Sequence, residues 1–364
     1  MAKKAYIGVD GVARKVKKGY LGVDGVARKI KKAYIGIGGV ARPCWSGGEP
    51  SYYGTIVGLY EAVSNNAATS VGDYAVFMGG QNASYYATAK ITRYDKSLTR
   101  NTSYTGYISY NHSATSVGSY ALFAGGDANV GSGTKYLTKV HARNESFTSS
   151  SPSLLSKGRY GLKGATVGGT AFFSGGWNNY ADTTVDAYDS SLSKTTPTRL
   201  TNIRFHHGGT SVGNYVIFAG GKNNQGAALS SVETYTESGT HGSASDLSTG
   251  MGSVASTGLG DYALFANNTT VNAYNKSLTR SNAPSLSNSI SAGSASTCNG
   301  FAFFCGGSYE TVDCYDKSLT KVNTFALSQA RNLMSAVTIG NYVLFGGGEK
   351  SDTKYSTVDV FTVN

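Results

Sequence analysis

Runs of small polar residues and runs of aromatic and branched residues alternate along most of this 364-residue chain, on a repeating plan. The stretch TSVGDYAVFMGG, residues 69–80, shows one unit: a small-residue run ending in Val71, a tight Gly72-Asp73 turn, then Tyr74-Ala75-Val76-Phe77 and the Gly79-Gly80 pair. A Phe follows its turn residue by five positions throughout, as Phe77, Phe123, Phe173, Phe218, Phe265, Phe304 and Phe345 after Gly72, Gly118, Gly168, Gly213, Gly260, Asn299 and Gly340. Short β-type runs separated by two turn residues predict antiparallel hairpins, type II′ where glycine comes first and type I′ at Asn299-Gly300. The Phe is expected in the core. Glycine pairs such as Gly125-Gly126 and Gly220-Gly221 are expected where torsions are positive or a neighbour packs too closely for a Cβ. A third strand is marked by Tyr94, Tyr188, Tyr235, Tyr274, Tyr315 and Phe361, often within a run such as YDKSLT at 94–99 and 315–320.

A repeat of roughly 45 residues built from short strands is the period of a propeller blade. The unit resembles the Kelch repeat, in which a small-residue strand, a turn, an aromatic strand ending in Gly-Gly and a later strand ending in Tyr build one four-stranded blade. The seventh copy, ARNLMSAVTIGNYVLFGGG at 330–348, fits that pattern best; Asn267-Asn268 replaces Gly-Gly in the fifth, and the family's fourth-strand Trp is missing from every copy. The resemblance implies an all-β fold, a seven-bladed β-propeller. Segment 53–60, YGTIVGLY, precedes the first unit as 102–108 precedes the second but has no blade of its own, and the chain ends just after a third strand. The N-terminal strand is therefore expected to complete the last blade of a propeller spanning 52–364, leaving no free sheet edge.

The formal charge of +11 and pI near 9.3 belong mostly to a short arm. Residues 1–42 hold eleven of the 32 Lys and Arg but two of the 21 Asp and Glu, leaving 21 basic against 19 acidic residues beyond them. The arm repeats AYIGVDGVARKVKK, GYLGVDGVARKIKK and AYIGIGGVAR every fourteen residues. Asp10-Gly11, Asp24-Gly25 and Gly38-Gly39 read as hairpin turns of a small β-meander or stacked ribbon, whose strands are too short to stand alone and need an oligomer or a docking surface. Arg14, Lys15, Lys17, Lys18, Arg28, Lys29, Lys31 and Lys32 form a basic face, either solvated or docked on an acidic protein; nucleic acid ranks behind both. Residues 43–51, with Gly47-Gly48 and Pro50, read as a linker. The arm and its GGVARPCW junction resemble N-terminal segments of tail-associated proteins of phages and prophages from gut Gram-positive bacteria. That resemblance implies a virion location, with the arm attached to a virion component and the propeller exposed; the bacterial cytoplasm is the alternative. No apolar run follows Met1-Ala2-Lys3-Lys4, so neither a secretion signal nor a membrane span is expected.

Little in the chain suggests catalysis or a metal. Three of four Cys (Cys298, Cys305, Cys314) fall on successive predicted strands without a CxxC or Cys/His spacing, so buried thiols are expected, with no metal, cofactor or disulfide. Arg159, Arg204 and Arg331 each precede a first strand and read as structural. A carbohydrate-active enzyme using Arg204 and His206 remains a third reading. Function is expected on loops, because the repeating residues are occupied by structure. The connection from core Phe to third-strand aromatic varies, from 77 to 94 in the first copy but only from 265 to 274 in the fifth. On that face the candidate ligand residues are Tyr85, Tyr86, Tyr136, Trp177, Asn178, Asn179, Tyr180, His206, His207, Asn223 and Asn224, whose flat apolar faces and amides suit sugar rings. The expected function is non-enzymatic binding of a surface glycan or protein; an intracellular protein-interaction scaffold is the alternative.

Overall fold

The structure, a computed structural model, describes residues 48–104, 107–129 and 134–363, together with the backbone of short strands within 6–45. Each repeat forms a four-stranded antiparallel sheet, and there are seven such blades. Blade 1 consists of Ala67–Val71, Tyr74–Met78, Lys90–Asp95 and Arg100–Tyr104. The first strands of blades 2 to 7 are Ser113–Val117, Lys163–Val167, Gly208–Val212, Ala255–Leu259, Ser294–Cys298 and Ser335–Ile339. These inner strands adjoin one another in order, and that of blade 7 adjoins that of blade 1, so the ring closes around a central channel. Blade 7 takes its outermost strand, Pro50–Ile56, from the N-terminal side of the ring: Val358 lies opposite Ile56 and Val363 opposite Pro50. The closing strand thus includes Pro50 and Ser51, the last residues of the segment read as linker.

The repeat residues explain the blade. The first-to-second turn has a left-handed glycine, as at Gly72 (φ 51°), and Asn299-Gly300 has two positive torsions (46° and 85°), the type I′ pattern. The core Phe side chains are buried, and each Tyr of the third strand is buried with its hydroxyl donated across to the preceding blade: Tyr188 to the Ser153 carbonyl, Tyr235 to Thr198 and Tyr274 to Ser245, all at 2.8 Å. The Gly-Gly pair is a close approach as well as a torsion. A Cβ on Gly220 (φ 68°) would stand 2.7 Å from the Met251 carbonyl oxygen. In YDKSLT the acid closes the third-to-fourth turn, Asp95 accepting from the Ser97 and Thr99 amides (2.8 and 3.0 Å) while Leu98 turns left-handed at φ 61°.

Arg159, Arg204 and Arg331 are fully buried struts. Each crosses its blade from the loop before the first strand to an acid on the third strand: Arg159 to Asp186 (2.9 Å), Arg204 to Glu233 (2.7 Å) and Arg331 to Asp359 (2.7 Å). Each also donates to the first Gly-Gly carbonyl of its blade, Gly175, Gly220 or Gly347. In blade 2 a Tyr107 hydroxyl reaches the corresponding Gly125 carbonyl and the ring stacks on His141, with centroids 6.2 Å apart.

In the arm, Tyr6–Val9 pairs with Val12–Lys15, Gly19–Val23 with Val26–Ile30, and Ala33–Ile37 with Val40–Trp45, three separate two-stranded ribbons in step with the fourteen-residue repeat. The expected turn residues Asp10, Gly11, Asp24, Gly25, Gly38 and Gly39, with Lys17, Lys18, Lys31 and Lys32, lie outside the described residues, as do the side chains of Arg14, Lys15, Arg28 and Lys29.

Candidate functional site

The second-to-third and fourth-to-first loops share one face of the ring, and they are tied to each other within a blade. Ser64 bridges Gln81 in blade 1, Tyr110 bridges Asp127 in blade 2, Tyr160 bridges Trp177 in blade 3 and Phe205 bridges Lys222 in blade 4. Closer to the axis, one residue of the fourth-to-first loop turns left-handed in every blade but the fifth: Asn65, Asn111, Gly161, His206, Ala292 and Leu333 have φ between 47° and 63°. Their amides form a collar from blade to blade. Asn111 donates to the Asn65 carbonyl (2.9 Å), Gly161 to Asn111 (2.9 Å), His206 to Gly161 (2.8 Å), Asn65 to Leu333 (3.0 Å) and Leu333 to Ala292 (3.1 Å). Left-handed torsion suits Asn and Gly, and the collar holds the other residues there.

Outside this collar lies a row of aromatic rings across blades 2 to 4. Tyr110, Tyr160 and Phe205 occupy the same place, three residues before the first strands that open at Ser113, Lys163 and Gly208. Trp177 packs on Phe205 (4.9 Å between centroids), Phe205 on His206 (5.0 Å), His206 on Tyr160 (6.1 Å) and Tyr160 on Tyr136 (5.8 Å). Polar groups edge the row: the Tyr136 hydroxyl donates to Asn179 Oδ1 (3.2 Å) and the Tyr110 hydroxyl to Asp127 (3.1 Å). Burial, with Asp127 beside it, pushes the Tyr110 phenol up to about 12, and burial also raises Tyr160. His206 is held down at about 4, by burial first and then by Lys222 and Lys163, so at neutral pH its ring is uncharged. The row therefore offers neutral, half-buried rings with fixed hydroxyl and amide groups at their edges.

The sequence-predicted residues divide by place. Tyr136, Trp177, Asn179 and His206 belong to this row. Asn178 and Tyr180 flank the Asn179 tip, Asn178 donating to the Gly158 carbonyl and Tyr180 standing 68% exposed. Asn224 accepts from the Ala181 amide (2.5 Å), while Asn223 closes its own turn by accepting from Gln225 and Ala227 (both 3.0 Å). His207 is buried between blades, its Nε2 2.9 Å from the Ser174 hydroxyl. Tyr85 and Tyr86 sit on blade 1, exposed at 48% and 57%, with the Lys354 ammonium of blade 7 over the Tyr85 ring, apart from the row. Tyr110, Tyr160 and Phe205 were not singled out by residue type; aligning the repeats on the core Phe places all three in one column.

The channel mouth is bordered by the collar and by residues just inside it, among them Asn66, His112, Leu162, Lys163, His207, Val254 and Met334. Three of these positions carry apolar side chains packed in the core, Leu162, Val254 and Met334, while the equivalent positions in blades 1, 2 and 4 carry Asn66, His112 and His207. Both amide atoms of Asn66 and Nδ1 of His207 are buried without a hydrogen-bond partner among the described residues. Burial raises the Cys298 thiol to about 12 and pushes Cys305 and Cys314 higher still, so all three are unreactive packing groups. Among the described residues no His, Cys, Asp and Glu cluster could hold a metal, and no helix is long and apolar enough to cross a membrane.

Fold and face together define a seven-bladed β-propeller with an aromatic row on one sector of its loop face. No protein-family model matches the chain, and no curated protein matches it. Its fold is similar to the solved propeller-like structure titled "Structure of YjhT", with 13% identity and a TM-score of 0.55 over 84% of this chain and 96% of that one. At that identity the likeness extends to the fold alone.

Proposed function

We propose that this is a non-enzymatic binding protein whose propeller engages a surface glycan along the aromatic row of blades 2 to 4. The arm fixes it to an acidic protein or virion component, by itself or as a homo-oligomer, in the manner of a phage or prophage tail appendage. The row from Tyr136 to Trp177 carries the reading: rigid rings in file with amide and hydroxyl groups at their edges fit the alternating apolar and polar surfaces of successive sugar rings. Arg204, on which a hydrolytic mechanism would draw, is buried and committed to Glu233.

The test uses the full chain against a glycan panel and envelopes of Gram-positive gut bacteria, with Trp177→Ala and Tyr136→Ala beside it. Specific binding weakened at least about tenfold in both variants, at unchanged thermal stability, supports the row as the site. Binding that both variants retain removes the row, and a wild type that binds no glycan or envelope turns the reading toward an intracellular scaffold. Detection in purified phage particles tests the virion part; a protein found only free in the cytosol ends it.

A further inference from the structure

The residues that open the seven first strands form a ring at the channel, and six of them are small: Ala67, Ser113, Gly208, Ala255, Ser294 and Ser335. The seventh, in blade 3, is Lys163. Its aliphatic stem runs against Gly209 of blade 4, where a Cβ would come within 2.7 Å of the Lys163 Cγ, so the neighbouring blade leaves that passage open. The ammonium has no ion pair or hydrogen bond among the described residues. It borders two cavities, of about 160 and 190 Å³, that share Asn66, His112, Gly293 and Met334 with it. Among the described residues no Asp or Glu lines either cavity. Above it, the His206 ring leans over Gly161, where a Cβ would lie 2.8 Å from Nε2, and that nitrogen is buried without a partner among the described residues.

An unpaired ammonium in a narrow channel is costly, and burial lowers its pKa for that reason. The fold does not need it, because Ser, Ala or Gly closes the same ring in every other blade. We infer that the channel mouth at blade 3 is a binding site for the oxyanion of a small ligand, a carboxylate or a phosphate, with Lys163 supplying the charge and His206 Nε2 a neighbouring hydrogen-bonding position. The two cavities have room for several waters or for one small organic anion in their place. An anion would restore the partner that Lys163 lacks, in a site with no carboxylate to repel it.

The full chain, Lys163→Ser and His206→Asn are titrated by calorimetry with glucuronate, glucose 6-phosphate and glucose. Lys163→Ser gives blade 3 the residue that blades 2, 6 and 7 already carry, and His206→Asn gives blade 4 the collar residue of blades 1 and 2, so both are expected to fold. The expected result is that glucuronate or glucose 6-phosphate binds, glucose does not, and Lys163→Ser weakens the anion at least tenfold, with a smaller loss for His206→Asn. Which of the two anions binds identifies the oxyanion. Failure of both to bind the wild-type protein, or undiminished binding by Lys163→Ser, overturns the inference. A monosaccharide does not span the aromatic row, so the outcome stands apart from glycan binding there.

Discussion

Buried histidines make the stability of this propeller depend on pH well above the range where its carboxylates titrate, and His112 isolates the effect. It is 7% exposed, its ring against Gly79 of blade 1, in the slot that Leu162 fills in blade 3. Burial outweighs its backbone contact with Met78 and holds its pKa at about 3 against an ordinary 6.5; His141, 3% exposed, is held at about 4 by burial and then by Arg143 and Lys139. Between these values and 6.5 the unfolded chain binds a proton at each site that the folded chain does not. The stability contribution is therefore complete above pH 6.5 and is lost as the pH falls toward the folded values. A tenfold difference in proton affinity is worth about 1.36 kcal/mol, so from pH 7.5 to 5 each site removes about 2 kcal/mol, and His112 and His141 together remove roughly 4 kcal/mol. Asp182, lowered to about 2 because Lys157 and Thr184 outweigh its burial, contributes almost nothing to this fall, since its window opens below its ordinary 3.8. The perturbation is His112→Leu, which copies blade 3. Urea unfolding of the full chain at pH 7.5 and pH 5, followed by tryptophan fluorescence, reads the effect. Wild type should lose several kcal/mol over that interval, and the variant about 2 kcal/mol less. An identical fall in the two proteins would refute the reasoning, because it would mean that His112 takes up its proton while folded.

Two further predictions concern the struts and glycines of the blades. Arg331→Met leaves Asp359 charged in the core with Tyr52 (2.7 Å) and Ser328 (2.9 Å) as its remaining partners among the described residues, and should cost about 3–5 kcal/mol in urea unfolding. Arg331→Met with Asp359→Leu should recover most of that loss, and a single variant costing less than about 1 kcal/mol would deny the strut its role. Gly220→Ala meets both a left-handed torsion and the Met251 carbonyl, whereas Gly226 (φ 75°) has nothing within 4 Å of a Cβ. Gly226→Ala should therefore cost about 1–2 kcal/mol, from the torsion alone, and Gly220→Ala clearly more. Equal costs would remove the close-approach explanation for the paired glycines.

Most of the fold was legible because a blade asks the same of every copy. The turn glycine, core Phe, Gly-Gly and third-strand Tyr recur at fixed spacing, and segment 53–60, a fourth strand without a blade, implied the closure that Pro50–Ile56 makes. The Arg struts were legible as structural, but their partners were not. Asp186, Glu233 and Asp359 stand opposite Phe173, Phe218 and Phe345, a register that only the paired strands reveal. Blade 2 was the least readable, since it replaces strut and acid with Tyr107 stacked on His141 and puts Arg143 opposite Ala121, where blade 3 has Tyr188 opposite Ala171. For the site, residue type alone found loop aromatics on blades 1 to 4 without distinguishing Tyr85 and Tyr86 from the row. The distinction is positional, and it depends on which blades adjoin.

That positional logic bears on where binding can reside. In a closed ring of near-identical units, a residue that every blade carries serves the blade, so a function must be written in departures from the repeat. The departures on the loop face converge. Aromatic residues occupy the place three before the first strand in blades 2, 3 and 4, where blades 1, 5, 6 and 7 have Ser64, Gly252, Ser291 and Asn332. The one long, charged member of the channel ring, Lys163, belongs to the middle blade of those three, and His206 touches both the row and the channel mouth. Blade 5, by contrast, joins its second and third strands by a tight turn, with Asn267 opposite Thr270, and builds no loop above the ring. Function confined to one sector makes a sharp demand. Substitutions at exposed loop residues of blades 5 and 6, such as Tyr309→Ala, should leave glycan and anion binding unchanged, while Trp177→Ala and Lys163→Ser each weaken one of them at least about tenfold. If Tyr309→Ala impaired either, the departures in blades 2 to 4 would be drift on a symmetric scaffold and the ligand would bind elsewhere on the ring.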